Sequence, residues 1–265
     1  MRKPWLAELY LYPLKGGRGI PLLAAPVDSR GLRFDRRWLV VRPDGTFLTQ
    51  RTHPKLALIA PALTPEALHL SAPGLPPLTL PFEATGDRRV VRIWRDTSDA
   101  LVVPSASTWL GELLGEEVEL VFMPEDAERK VEAHGGRDAA LVSFADAYPF
   151  LLVSRASLAD LNSRLDHPLP MNRFRPNLVI TGTTPFAEDS WKQIRVGELM
   201  LDVVKGCARC AVTTVDQRTG RPDEPEPLKT LATFRRHDGE VWFAQNAVHH
   251  APGMLRVGDP VEVLA

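Results

Sequence analysis

At 265 residues the chain is long enough for one large core or two smaller ones. Its 44% hydrophobic and 25% charged residues are globular proportions, which exclude a disordered or fibrous chain. A net charge of −1 provides no overall basic field for nucleic acid or an anionic membrane, so any bound anion must be recognised locally.

The first strand candidate is Leu6 to Tyr12. With Pro4 and Glu8 inside it and Pro13 after it, the opening stretch from Met1 to Tyr12 is neither a signal peptide nor the ~20 apolar residues of a spanning helix. Arg37 to Arg42 is a second β-rich run, and Pro43-Asp44-Gly45 reads as a turn into Thr46 to Gln50, which predicts a hairpin. From Leu56 to Leu80 short apolar runs are broken by Pro61, Pro65, Pro73, Pro76 and Pro77, and Val90 to Trp94 follows as another strand. The chain has 24 prolines in all, well above the usual ~5%. This rhythm is antiparallel β, without βαβ units.

Ser105 is placed to cap a helix over Ala106 to Leu114, with Trp109, Leu110, Leu113 and Leu114 on one face and Gly115 at its end. Val118 to Met123 reads as a strand. Pro124 to Ala140 is charged and holds Gly135-Gly136, so a mobile linker or lid is expected there. Ser154 is placed to cap a second helix from Arg155 to Leu165, and Pro227 to Arg235 reads as a third. Strands are expected at Asn177 to Thr181, Leu199 to Val204, Ala211 to Asp216, Val241 to Gln245 and Pro260 to Leu264.

The strongest chemical signal is Lys205-Gly206-Cys207-Ala208-Arg209-Cys210, where Lys205 and Arg209 flank the two thiols and favour a thiolate. These are the only cysteines, which excludes a multi-bridge secreted scaffold and suits a reducing, cytoplasmic setting. Three readings compete with a reactive thiol. A structural zinc site needs about four ligands, and His249 and His250 lie far off in sequence. A dithiol redox pair opens a helix, whereas the following Ala211 to Val215 looks like a strand. Plain buried cysteines are the third. A further signal is a set of basic segments with small or turn-forming neighbours: Lys15 to Gly19, Asp35 to Trp38 and Asn172 to Asn177. Glycine backbone and arginine forks suit phosphate, although ordinary surface arginines paired with the 33 acidic residues would look similar.

Taken together, Tyr12-Pro13-Leu14-Lys15, Asp35-Arg36-Arg37-Trp38, Phe47 to Arg51, Phe174-Arg175-Pro176-Asn177, Ala187 to Trp191, Cys207 to Cys210 and Thr213 to Asp216 resemble the MOSC proteins, in order and over essentially the whole chain. The subgroup they resemble is the amidoxime-reducing components. The resemblance implies a predominantly β, α+β fold of two β-barrel-like halves: a MOSC N-terminal domain over 1–123, and a MOSC domain over 124–265 that carries the cysteine motif.

It also implies a molybdenum cofactor, molybdopterin, with Cys210 as the protein thiolate on the metal and Cys207 as a neighbour. Lys15, Arg36, Arg175 and Asn177 fall on family positions that hold the pterin and its phosphate, with Arg209 and the backbone around Ala147 and Tyr148 as additions. Ala208 and Asn246 belong to the same set, but they replace a serine and a tyrosine of animal relatives, and Gly16 stands where a serine often follows the lysine. The implied activity is reduction of N-hydroxylated or N-oxide small molecules, with Asp216 or an ordered water passing protons. Electrons would come from a separate ferredoxin-like, flavin or haem protein, because no ferredoxin domain follows the last strand. The rival reading is a cofactor carrier, store or sulfur-handling module without turnover. Neither nucleic acid nor membrane is an expected partner.

Overall fold

A computed structural model describes residues 3–82, 86–131, 139–222 and 225–265. The chain is mostly β, 41% strand and 17% helix. Its largest sheet begins with Trp5–Leu11, which pairs antiparallel with Ile20–Leu22 on one side and Leu178–Thr181 on the other. The order then runs through Phe150–Ser154, Glu240–His249, Leu199–Ala208 and Gln193–Val196 to Val261–Val263. Among the described strands of this sheet, only the Phe150–Ser154 to Leu178–Thr181 contact is parallel. Among the described residues an isolated bridge from Trp5 to Pro260 links the first strand to the segment that leads into the 261–263 strand, but no closed barrel is found, so the expected pair of barrel-like halves is not confirmed.

A second sheet joins Trp38–Val41, Glu119–Phe122, Asp96–Val103 and Arg88–Ile93, all antiparallel. Beside it lies a three-stranded meander of Ala60–Leu63, Ala67–Ser71 and Leu78–Pro81. The first helix, α1 (Ser107–Leu114), buries Trp109, Leu110 and Leu113 in the core beneath these sheets. Each such side chain contributes about 1.5–3 kcal/mol of burial. Gly115 ends α1 at φ +80°, a left-handed conformation that suits glycine.

Two of the expected local structures differ. Ser105 does not cap α1: Pro104–Ala106 forms a 3-10 turn that leads into the helix, and Ala106 occupies the cap position without a side-chain bond. The Thr46 to Gln50 arm turns back at Gly45 as expected, but it forms no strand ladder and keeps a bridge from Val41 to Phe47 with bonds from Arg42 N–H to Thr46 O and from Leu48 N–H to Val40 O. Trp38–Val41 takes its full ladder from Glu119–Phe122 instead.

The other helices follow the sequence closely. Ser154 caps α2 (Arg155–Asn162) by accepting the Ser157 N–H at 3.0 Å. Helix α3 (Leu228–Phe234) buries Leu231. Both pack, with Phe174 and Phe243, against one face of the large sheet, while Leu9, Leu152, Ile180 and Leu201 fill the other.

The described part of the expected lid is pinned. Arg30 donates to Glu125 O and Ala127 O, Arg37 to Met123 O, and Arg129 to Ser143 O and Ala145 O. The remaining stretch, 132–138, lies outside the described residues.

Candidate functional site

A cleft of about 400 Å³ is walled by segments from both ends of the chain. The Lys15-Gly16 loop, the turns at Arg36 and Trp94, and Thr49 to Arg51 come from the N-terminal part. The 145–148 and 174–177 segments, the cysteine segment and the end of the 240–249 strand complete it. The ten residues that the resemblance assigned to the metal or pterin all line this one cleft: Lys15, Arg36, Ala147, Tyr148, Arg175, Asn177, Ala208, Arg209, Cys210 and Asn246.

The floor is built around Tyr12. Arg36 and Arg175 both place their guanidinium carbons 4.4 Å from its ring centroid, and both adopt positive φ, +50° and +56°. Such a conformation costs a non-glycine residue free energy and persists only where the surroundings enforce it. Here they do. Arg36 pairs with buried Asp35 and donates to Asn177 Oδ1 at 2.9 Å and to Arg175 O at 3.2 Å. Asn177 also donates to Tyr10 O and Asp35 Oδ1 and accepts the Leu151 N–H, so its amide orients Arg36.

Burial lowers the Arg175 pKa to about 10, the nearby Arg36 adding to this, which leaves it charged at neutral pH. Burial raises Tyr12 to about 12, against the pull of the two arginines. Burial likewise pushes Asp35 up, although its bonds to Arg36, Tyr12 N–H and Asn177 oppose the rise.

Lys15 is buried and donates to Phe144 O at 2.7 Å and Asp146 Oδ1 at 2.5 Å. Burial pulls its pKa down, and Asp146 counters that. For Asp146, burial works against the charge, but Lys15 and the Trp94 indole, which donates at 3.0 Å, hold its carboxyl well below the usual carboxylate range. Trp94 also carries Arg51, whose guanidinium carbon lies 4.6 Å from the ring centroid.

The cysteine segment differs from its expected shape. The strand that was expected to stop at Val204 continues to Ala208 and carries Cys207. Cys210 begins a 3-10 turn over Ala211–Thr214, where a strand was expected, and only Val215–Asp216 is extended. The cause lies in buried Arg173, which donates to Thr214 O at 2.7 Å and bends the chain toward itself. Cys210 is therefore the residue on the turn and Cys207 the one on the strand. Both thiols face the cleft, because register shifts at 203–205 and 206–208 and the turn after Ala208 break simple alternation. Each takes a guanidinium: Arg209 Nη1 lies 3.0 Å from Cys207 Sγ, and Arg51 Nη2 lies 3.0 Å from Cys210 Sγ.

Gly206 is required here. A Cβ on it would stand 2.6 Å from the Trp242 ring. Asn246 buttresses the same peptide by donating to Gly206 O at 3.1 Å.

Sequence reasoning missed Arg51, Trp94, Asp146 and Trp242 as lining residues. Arg51 stood inside a quoted motif, but nothing local signalled its contact with Cys210. Asp216 does not line the cleft; it accepts the Arg218 and Thr219 N–H groups and closes a turn, so the structure gives it no place in proton transfer here. The arrangement suits a polyanion that also carries a thiophilic centre: six cationic side chains line the cleft against the carboxylates of Asp146 and Glu240, with two thiols beside them. The buried Arg209 Nε, without a partner among the described residues, is a further donor in the wall.

Comparison with known proteins places this geometry. The MOSC N-terminal beta barrel domain matches residues 4–117, and the MOSC domain matches residues 139–262. Mitochondrial amidoxime-reducing component 1 from Homo sapiens is 35% identical over 98% of this chain and 82% of its own length. The chain belongs to the amidoxime-reducing component family of MOSC proteins. Component 1 from Mus musculus is 36% identical over the same shares, and component 2 from Bos taurus is 31% identical over 97% and 82%. Among solved structures, the YUAD protein from Bacillus subtilis aligns over 98% of this chain and 97% of its own, with a TM-score of 0.44 and 12% identity. Within the family frame, the cleft draws Lys15, Arg36, Arg51 and Trp94 from the N-terminal match, and Arg175, Asn177, Cys207, Cys210 and Asn246 from the C-terminal one.

Proposed function

We propose that this chain is a molybdenum-cofactor-dependent reductase of small N-hydroxylated or N-oxide compounds. The observation that carries the reading is the meeting of Cys210 with Lys15, Arg36, Arg175 and Arg209 in one cleft, in a member of the amidoxime-reducing component family. A thiolate suits a soft metal already bound to sulfur, and arginine forks suit the phosphate of a pterin. Lys15, Arg36, Arg175 and Arg209 would hold the pterin, with the walls at Ala147, Tyr148, Ala208 and Asn246 around it, and Cys210 would hold the metal. When bound, the cofactor supplies the two-electron chemistry that the side chains lack.

The protein's own part is binding, orientation and water control. Asn177 and Asp35 hold Arg36 in its left-handed conformation. Asp146 anchors Lys15 and, through Trp94, the stack that carries Arg51 to Cys210. Conversion of an N–OH group to N–H and water consumes two protons along with two electrons. Asp146 stays ionised at neutral pH and does not supply them, which leaves solvent as their source.

The electrons come from a separate redox protein of ferredoxin-like, flavin or haem type. The chain is read as two units, 1–123 and 124–265, with Trp5–Leu11 and Ile20–Leu22 of the first joined to the large sheet of the second and the cleft lined by both. Two unpaired cysteines support a cytoplasmic location, whereas the relatives are named mitochondrial; no described helix is long and apolar enough to cross a membrane.

The test is metal and pterin analysis of the purified protein, followed by turnover of a hydroxylamine-type substrate with an artificial electron donor. Cofactor with turnover supports the reductase. Cofactor without turnover makes the chain a carrier or sulfur-handling module, and no cofactor after loading ends both readings.

A further inference from the structure

A second cavity, about 220 Å³, shares Arg175 with the cleft but otherwise has its own walls: Tyr10, Tyr12, Arg18, Asn172, Gln217 and Arg218. No carboxylate lines it among the described residues, and neither Arg18 nor Arg218 has a carboxylate partner among them. Arg18 uses Nε on Ala57 O at 3.1 Å and Nη2 on Arg218 O at 3.3 Å, which leaves Nη1 without a protein partner among the described residues. Tyr10 is a wall only, because its hydroxyl already donates to Glu8 at 2.5 Å.

Tyr12 is the decisive group. Its hydroxyl is buried and has no hydrogen-bond partner among the described residues, a costly state for a polar atom. The phenol end lies against Gly19, another wall of this cavity: a Cβ there would stand 2.6 Å from Cε1 and 2.9 Å from Cζ. Gly19 thus leaves room for the ring to reach the cavity, and the phenol remains protonated, a donor, at neutral pH. An unpartnered buried donor in a wall that also holds Arg18, Arg175 and Arg218, with no carboxylate among the lining residues described, is complementary to an oxyanion.

We propose that this cavity is a second oxyanion site, which takes a phosphate group against Arg18, Arg175 and the Tyr12 hydroxyl. The phosphate comes either from free phosphate or from a small organic ester, since the cavity exceeds a bare anion in volume. Among the described lining residues the site shares only Arg175 with the cleft, and because the proposed function gives Arg175 to the cofactor, cofactor content is recorded with each titration.

Inorganic phosphate and glycerol 3-phosphate are titrated separately into the full-length protein, with its cofactor content recorded, and binding is followed by calorimetry. One saturable site is expected, about ten-fold weaker in Arg18→Gln and in Tyr12→Phe, and unchanged in Lys15→Gln, which alters only the cleft. Tyr12→Phe removes one oxygen from a buried ring and keeps the test decisive if Arg18→Gln misfolds. Equal affinities support free phosphate as the ligand, and a ten-fold preference for the ester supports an organic phosphate. The proposal is overturned if neither ligand saturates, if both variants bind like the wild type, or if Lys15→Gln alone abolishes binding.

Discussion

Arg51 and Cys210 are 159 residues apart in the chain, yet the guanidinium Nη2 of one lies 3.0 Å from the Sγ of the other. The contact is held from behind, because Arg51 stacks on Trp94, Trp94 donates to Asp146, and Asp146 pairs with Lys15. A planar fork resting on an aromatic face gives one orientation of positive charge toward the sulfur. Arg51→Ala is therefore expected to lower turnover by about ten- to a hundredfold, the loss of one charge-assisted contact, with pterin content near wild type. Arg51→Lys keeps the charge but loses the fork and the stack, and should restore only part of the rate. Wild-type kcat in both variants would remove Arg51 from the account.

Arg36 and Arg175 address retention of the cofactor. Each offers charge-assisted bonds worth about 1.5–3 kcal/mol, roughly ten- to a hundredfold in affinity. Arg36→Ala and Arg175→Ala should each lose pterin during competitive dialysis while keeping the wild-type circular dichroism spectrum. Full pterin occupancy in both would mean that the cofactor is held elsewhere.

Tyr12 yields a pH dependence whose sign follows from burial. Its pKa is raised from an ordinary value near 10 to about 12, so the folded chain keeps the phenolic proton after the unfolded chain has released it. The stability linked to that proton is fully present below pH ~10 and is lost as pH climbs to about 12, by an amount on the order of 2–3 kcal/mol. Denaturant titrations at pH 8, 10 and 11.5 should show this loss in the wild type and a shallower one in Tyr12→Phe. Identical slopes would contradict the assignment.

Much of this was legible in the sequence where the signal is local. Ser154 before a run with leucines at helical spacing marked α2, and Gly115 marked the end of α1, because capping and left-handed turns depend on neighbours alone. The ten residues that gather in the cleft were named in advance as what the family resemblance implies. Within each basic segment, however, residue type and spacing alone do not say which cation faces the cleft, and only the resemblance picked one. Lys15, Arg36 and Arg175 do, whereas Arg18 binds Ala57 O, Arg37 binds Met123 O and Arg173 binds Thr214 O.

The turn after Cys210 was read as a strand because Ala211 to Val215 has β-forming residues, and what bends it is Arg173, nearly 40 positions upstream. Tertiary contacts override propensity in such short pieces. For the same reason Arg51, Trp94 and Asp146 stayed hidden: each reaches the cleft only through partners distant in the chain.

The central claim is that the cleft holds a molybdenum centre through Cys210, and the sulfur count around the metal tests it most directly. Molybdenum X-ray absorption on loaded wild type, Cys207→Ser and Cys210→Ser would give that count for each. The account expects one sulfur fewer in Cys210→Ser, with N-hydroxy reduction abolished, and an unchanged shell with substantial activity in Cys207→Ser. A full sulfur shell and wild-type turnover in Cys210→Ser, or a sulfur lost only in Cys207→Ser, would contradict it.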